Sequence, residues 1–193
     1  SLYQASEEKS ARLEVTGEIV KALGSSLEPE EIFQTITREI RRAIPCERCV
    51  IATAELPGPF TSYWRVDSDI EVDRPTHLEA QTIRNTAIKA LYERKTPYYI
   101  PDIAKERGPG DRSVRAGLRS TLFVPVLDGS ECRAHIAISS TRSHAFTPGH
   151  RELLASIAAY VGPAIRNALL YQASEEKSAR LEVTGEIVKA LGS

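Results

Sequence analysis

The chain has 193 residues, 41% of them hydrophobic and 26% charged, with a formal net charge of −1. This is the balance of an ordinary soluble globular protein, and it excludes a dedicated nucleic-acid surface, since the arginines are scattered and no basic stretch is interleaved with aromatics. No run of 18 apolar residues and no signal-peptide pattern is visible, so neither a membrane span, direct membrane contact nor secretion is expected.

The first element is also the last. Leu2–Ser25 and Leu170–Ser193 are identical over 24 residues, 168 positions apart. Identity of that length points to a recent duplication or to engineering, and the chain reads as one repeat of a tandem array. Leu2, Ala5, Ala11, Val15, Ile19, Ala22 and Leu23 form a narrow helical stripe, interrupted by Glu8. Gly17 within it costs about 1 kcal/mol relative to alanine. Such a helix is marginal alone and calls for a partner. The expected organisation is a connecting helix at 1–25, a globular domain at 26–168 and a second connecting helix at 169–193.

Pro29 opens the next helix, whose Ile32, Phe33, Ile36, Ile40, Ala43 and Ile44 recur with a 3.6-residue period until Pro45 stops it. Cys49–Ala54 reads as a buried strand. Pro57, Gly58 and Pro59 turn the chain into a second strand at Phe60–Val66. The polar stretch Asp67–His77 reads as loop, and Ile83, Ala87, Ile88 and Leu91 mark a helix over Glu79–Arg94.

Tyr98–Ile100 is a brief strand bounded by Pro97 and Pro101. Ala104–Gly117, rich in glycine and charge, is expected to be a mobile loop. Ser120–Leu127 and Arg133–Ser139 read as a hairpin turned at Asp128 and Gly129, with Leu122, Val124 and Val126 sharing one face and Ala134, Ile136 and Ile138 another. Pro125 calls for an edge or bulge position. Thr147 and Pro148 start a final helix that runs without a stop signal into the repeated segment, with a kink expected at Gly162 and Pro163.

The order helix, two strands, helix, short strand, hairpin and long exit helix resembles a GAF domain. The resemblance is carried by PYYIPDI (Pro97–Ile103), GLRSTLFVPVLDG (Gly117–Gly129) and HAFTPGHRELLASIAAYVGPAIRNALLYQ (His144–Gln172), with the helix at Pro29–Ile44 fitting the family's opening. It implies an α+β fold: a PAS-related antiparallel sheet of five or six strands with flanking helices, a small-molecule pocket on one face, and long terminal helices. It also implies a homodimer through those helices and a downstream output domain, such as a histidine kinase. The leading expectation is a non-catalytic sensor. A ligand-free spacer and dimerisation repeat is the alternative, and a cysteine-dependent free methionine sulfoxide reductase the third reading.

The candidate ligand-binding residues are Trp64, Tyr98, Tyr99, Asp102, Arg119 and Phe123, an apolar set with a few polar groups. Trp64 could equally fill the core, and Asp102 could cap the segment it begins. His135, on the strand face opposite Ile136 and Ile138, could line a pocket or be an ordinary core histidine. No catalytic residues, metal ligands or cofactor are assigned. Cys46 and Cys49 form a lone CxxC without the second pair a structural zinc site needs, and a strand rather than a helix follows it. With Cys132 they make an odd count, which suits a reducing cytoplasm. Relatives that attach bilin do so through a cysteine beside a histidine, a pair absent here, and the signature of cyclic-nucleotide-binding members is absent too.

Overall fold

A proline at the first turn and opposite charges at the two ends account for helix α1, Pro29–Ala43. Glu30 and Glu31 lie in its first turn and Arg41 and Arg42 in its last, each sign complementing the helix dipole. Ile32, Phe33, Ile36 and Ile40 are buried along one face, as their spacing predicts. Ile44 turns extended, its N–H still donating to the Ile40 carbonyl at 2.8 Å. The computed structural model describes residues 17–19, 21, 28–54, 61–72 and 88–191, with the backbone alone at 54, 61–64 and 191. The expected turn at Pro57–Pro59, most of the first connecting helix and the start of the Glu79–Arg94 helix lie outside the described residues.

Five strands, β1 (Arg48–Ala54), β2 (Thr61–Ser68), β3 (Tyr98–Ile100), β4 (Ser120–Asp128) and β5 (Glu131–Ser140), form one antiparallel sheet in the order β2-β1-β5-β4-β3. β2 runs two residues past the expected Val66, because Asp67 and Ser68 pair with Cys49 and Arg48. Arg41 holds the Asp67 carboxylate at 2.5 Å and also binds Asp69, so an acidic strand end is tolerated at the sheet edge. The β4–β5 turn places Gly129 at φ +59, at the first of two loop positions, where a II′ hairpin takes glycine. Pro125 finds its edge because β3 pairs only with Thr121–Phe123. Beyond Phe123 that side of β4 carries no described partner strand.

The expected mobile loop at 104–117 is instead two short capped helices, α3 (Ile103–Arg107) and α4 (Arg112–Arg115), which follow α2 (Lys89–Arg94) in the chain. Asp102 accepts from the Lys105 N–H at 3.2 Å, and Asp111 from the Ser113 N–H at 2.7 Å. The glycines that suggested disorder sit just past the two helices, Gly108 at φ +82 and Gly117 at φ +94, conformations that L side chains resist. Composition alone could not separate a loop from two capped turns.

The exit helix α5 covers Pro148–Leu191, 44 residues and about 66 Å. Its N-terminus is capped reciprocally: the His150 N–H donates to Thr147 Oγ1 at 3.2 Å, and the Thr147 N–H reaches His150 Nδ1 at 3.4 Å. Pro163 does not end it. Leu154, Ile157, Ala158, Val161, Ile165 and Ala168 are buried with α1 and the inner face of the sheet in one cluster. Gly162 lets the helix approach β4 closely, since a Cβ there would lie 3.0 Å from the Leu127 carbonyl oxygen. By length and composition α5 is apolar enough to cross a membrane, with mean hydropathy 1.4 in its most apolar 18-residue window, and 39% of that window is buried inside the fold. Beyond Gln172 every described residue is exposed. In the other copy of the repeat, residues 17–19 and 21 are helical and Ile19 lies inside the same cluster.

Candidate ligand-binding face

Strand alternation gives the sheet two faces. Cys49, Ile51, Leu122, Val124, Val126, Ala134, Ile136 and Ile138 point toward α1 and α5. The residues between them point the other way, and there Val50, Ala52, Phe123 and Ala137 form a second cluster with Leu91 of α2, Ile103 of α3, Ile100 and Leu118. Register places Val66, Val50, Ala137, Phe123 and Tyr98 in one row across all five strands of this distal face. Arg48, Ser139 and Thr121 form the polar row beside it, with Thr121 Oγ1 3.0 Å from both the Ile138 carbonyl and Ser139 Oγ.

His135 belongs to the distal face, paired with Ala52 on one side and Pro125 on the other. It is 3% exposed. Tyr92 places its hydroxyl 3.2 Å from His135 Nδ1 and its ring edge-on at 5.8 Å, while the Phe123 ring lies 6.1 Å away. Burial pushes the imidazole down to about 4, so it is neutral at pH 7. At the β1–β2 end of the same face an open cavity of about 490 Å³ is lined by Arg48, Val66, Ser68, Ile70 and Val72 among others. A hydrogen-bonded turn, in which the Ile70 N–H donates to Ser68 Oγ at 3.2 Å and Ser68 Oγ to the Ile70 carbonyl at 2.6 Å, shapes its rim.

Arg107, at the end of α3, is the polar group that sequence reasoning missed. Its side chain is 11% exposed, and Nη1 faces Asp111 at 3.9 Å. Nε and Nη2 are buried without a hydrogen-bond partner among the described residues. Those two nitrogens lie on one edge of the guanidinium, the edge that grips a carboxylate or phosphate with two parallel bonds. Burial lowers its affinity for the proton, opposed by Asp111, yet an arginine stays charged in proteins. The signal available in the sequence was only an arginine between two acidic residues, Glu106 and Asp111, which is no signal of burial.

The six residues expected at the site separate. Phe123 and Tyr98 meet on the distal face, where Tyr98 donates its hydroxyl to Glu106 at 3.0 Å. Burial, then the Glu106 bond, raises the Tyr98 phenol. Tyr99 points to the opposite face, accepting from the Phe146 N–H at 3.3 Å and lying under the Arg151 guanidinium at 5.2 Å. Asp102 caps α3. Arg119 spans the end of α4, donating to the Val114 and Leu118 carbonyls at 3.0 and 2.9 Å. Trp64 falls at the register shift of β2, between Tyr63 opposite Ala52 and Arg65 opposite Ile51, and its side chain lies outside the described residues.

Two of the three cysteines lie on the helix side of the sheet. Cys49 is buried in the helix-side cluster and Cys46 packs against it. Burial pushes Cys46 and Cys132 up to about 11 and raises Cys49 well above the usual thiol range, conditions that suppress thiolate chemistry. Among the described residues no three His, Cys, Asp or Glu side chains are grouped to hold a metal ion.

Residues 28–165 match the family described as "GAF domain". Among solved structures the chain is similar to the GAF domain of a phosphoenolpyruvate-protein phosphotransferase from Coxiella burnetii (14% identity, TM-score 0.67, covering 85% of this chain and 98% of that one). It is also similar to free methionine-R-sulfoxide reductase from Neisseria meningitidis in complex with its substrate (11%, TM-score 0.65, 83% and 91%). A third is a domain of a putative two-component sensor histidine kinase protein from Sinorhizobium meliloti 1021 (15%, TM-score 0.56, 78% and 99%). At such identities the likeness establishes the fold alone. None of the curated proteins matches the chain.

Proposed function

The chain belongs to the GAF domain family, and from that premise we propose that it is a non-catalytic sensory module of a cytoplasmic signalling protein. It takes a small anionic molecule on the distal face of the sheet and passes the bound state to its terminal helices. The observation that carries this reading is the unpartnered edge of Arg107 beside Tyr98. Buried charged donors without acceptors are costly, by 1–3 kcal/mol or more for each group on the order of known cases. A ligand carboxylate or phosphate would remove that cost, which supports an anion as the ligand.

Transmission follows from the alternation along β5. His135 and Ala137 face the ligand side, while Ile136 and Ile138 lie in the cluster that holds α1 and α5. A ligand that shifts β5 therefore repacks the seat of α5. The proposed organisation is a connecting helix at 1–25, the sensory domain at 26–168 and a second connecting helix at 169–193, dimeric through the helices and followed by an output domain such as a histidine kinase.

The test is a titration of the full chain with acetate or inorganic phosphate against chloride at equal ionic strength. The reading expects one of the two anions to shift the Arg107 Nε–H resonance and raise the melting temperature, with the rise in melting temperature lost in Arg107→Gln. Neither anion moving that resonance defeats it. The spacer reading is favoured by a different observation, the exposed Leu170, Leu181, Val183, Ile187 and Val188 along the end of α5. The reductase reading finds no support in the cysteines, none of which joins the distal cluster.

A further inference from the structure

Arg107 stands one helical turn after Ile103, so the two side chains leave α3 on the same face. Ile103 is buried inside the distal cluster with Phe123, Leu91 and Leu118. The guanidinium therefore lies at the β3 end of the distal face, within electrostatic reach of Tyr98. Tyr98, cross-strand from Phe123, and Val114 of α4 pack against the same cluster and are only half-buried. An apolar shelf is left open beside a charged edge. The charges around that edge balance: Asp111 and Glu106 act on Arg107 from one side of the account, and Arg112 opposes them. The nearby donors are already committed, the Tyr98 hydroxyl to Glu106 at 3.0 Å and the Ser113 N–H to Asp111 at 2.7 Å.

We propose that the ligand of this site is an apolar monocarboxylate, aromatic or branched, rather than a phosphate; the assignment rests on the anion reading of the same site and narrows it. Nε and Nη2 offer a pair of parallel donors, which is what a carboxylate uses. A phosphate monoester brings about two negative charges and a third acceptor oxygen. Neither the Tyr98 hydroxyl nor the Ser113 N–H is free to serve that oxygen. The second charge would lie uncompensated beside Asp111 and Glu106, where burial makes an unpaired charge costly. A monoanion avoids both penalties. The body of the ligand then meets Tyr98, Val114 and Phe123, which gain only from covering apolar surface. The site takes its specificity from one planar charge and a hydrophobic shelf, the make-up of small-molecule pockets in general.

Titration of the full chain with benzoate, acetate and phenyl phosphate, at pH 7.5 and equal ionic strength, tests it. The readouts are the Arg107 Nε–H resonance, assigned by its absence in Arg107→Gln, and the melting temperature. Benzoate is expected to bind at least about tenfold more tightly than acetate, through its ring. It should also bind at least about tenfold more tightly than phenyl phosphate, which carries the same ring on a dianion. Arg107→Lys keeps the charge but loses the two-point grip, and should weaken benzoate at least about tenfold. Phenyl phosphate binding as tightly as benzoate overturns the carboxylate assignment, and acetate binding as tightly as benzoate overturns the apolar one; the anion reading survives either result. Benzoate binding unchanged in Arg107→Lys overturns the proposal as well. No response to any of the three compounds defeats the proposal and the anion reading together. The ranking of the three is read in the unmodified chain, so it holds however the variants fold.

Discussion

Lowering the pH from 7.5 to 5.0 should destabilise this protein through one imidazole. His135 is fully enclosed by Ala52, Phe123, Tyr92 and Pro125, and burial takes it from 6.5 down to about 4. A group whose folded value is depressed leaves stability intact above its unfolded value. That stability is lost as the pH falls from 6.5 toward 4, because the unfolded chain takes up the proton first. At pH 5.0 the loss is about 2 kcal/mol, from 1.36 kcal/mol per unit over the interval between 6.5 and 5.0. Domains of this size are stable by only about 5–15 kcal/mol, so the effect is large. Urea unfolding at the two pH values, followed by circular dichroism, reads it directly. His135→Gln keeps an acceptor for the Tyr92 hydroxyl and cannot titrate, so its stability should change far less over the same interval. The reasoning fails if His135→Gln shows the same loss, or if the imidazole titrates near 6.5 in the folded protein by NMR.

Gly162→Ala should lower the melting temperature, because crowding against the Leu127 carbonyl costs about 1–3 kcal/mol and outweighs the gain of about 1 kcal/mol in helix propensity. Gly185→Ala on the same helix meets nothing within 4 Å and should instead raise helicity at 222 nm; equal effects at the two sites would refute the close approach. Thr147→Ala removes the cap of α5 and should cost about 1 kcal/mol in urea unfolding. At pH 7.5 Cys46 and Cys132 should react with a disulfide reagent on the order of a hundredfold more slowly than a free cysteine, and Cys49 only on unfolding.

Much of the architecture was legible because it rests on local periodicity and local caps. Ile32 to Ile40 announced α1, and Leu122, Val124 and Val126 announced a strand with one buried face. Thr147 with Pro148 announced the start of α5. The segment at 104–117 misled for the opposite reason: Asp102 and Asp111 act as caps only once α3 and α4 exist, and glycines past a helix look like glycines in a loop. Tyr98 and Tyr99 looked equivalent as neighbours in one short strand, yet adjacent strand residues face opposite sides of the sheet. The pairing of β3 with β4 sent Tyr98 to the distal face and Tyr99 to α5.

What the chain's order of residues determined alone was the family, the sequence of elements and the repeat at its two ends, since these depend on patterns within a few turns or on identity itself. Tertiary structure decided which charges are buried and which of the two equivalent isoleucines packs in this core. Arg107 is one of 25 basic residues by composition, and only the folded chain buries its side chain and leaves Nε and Nη2 without a partner among the described residues. Ile19 and Ile187 are indistinguishable in sequence, and only the end of the core at Ala168 makes one a core residue and leaves the other in water.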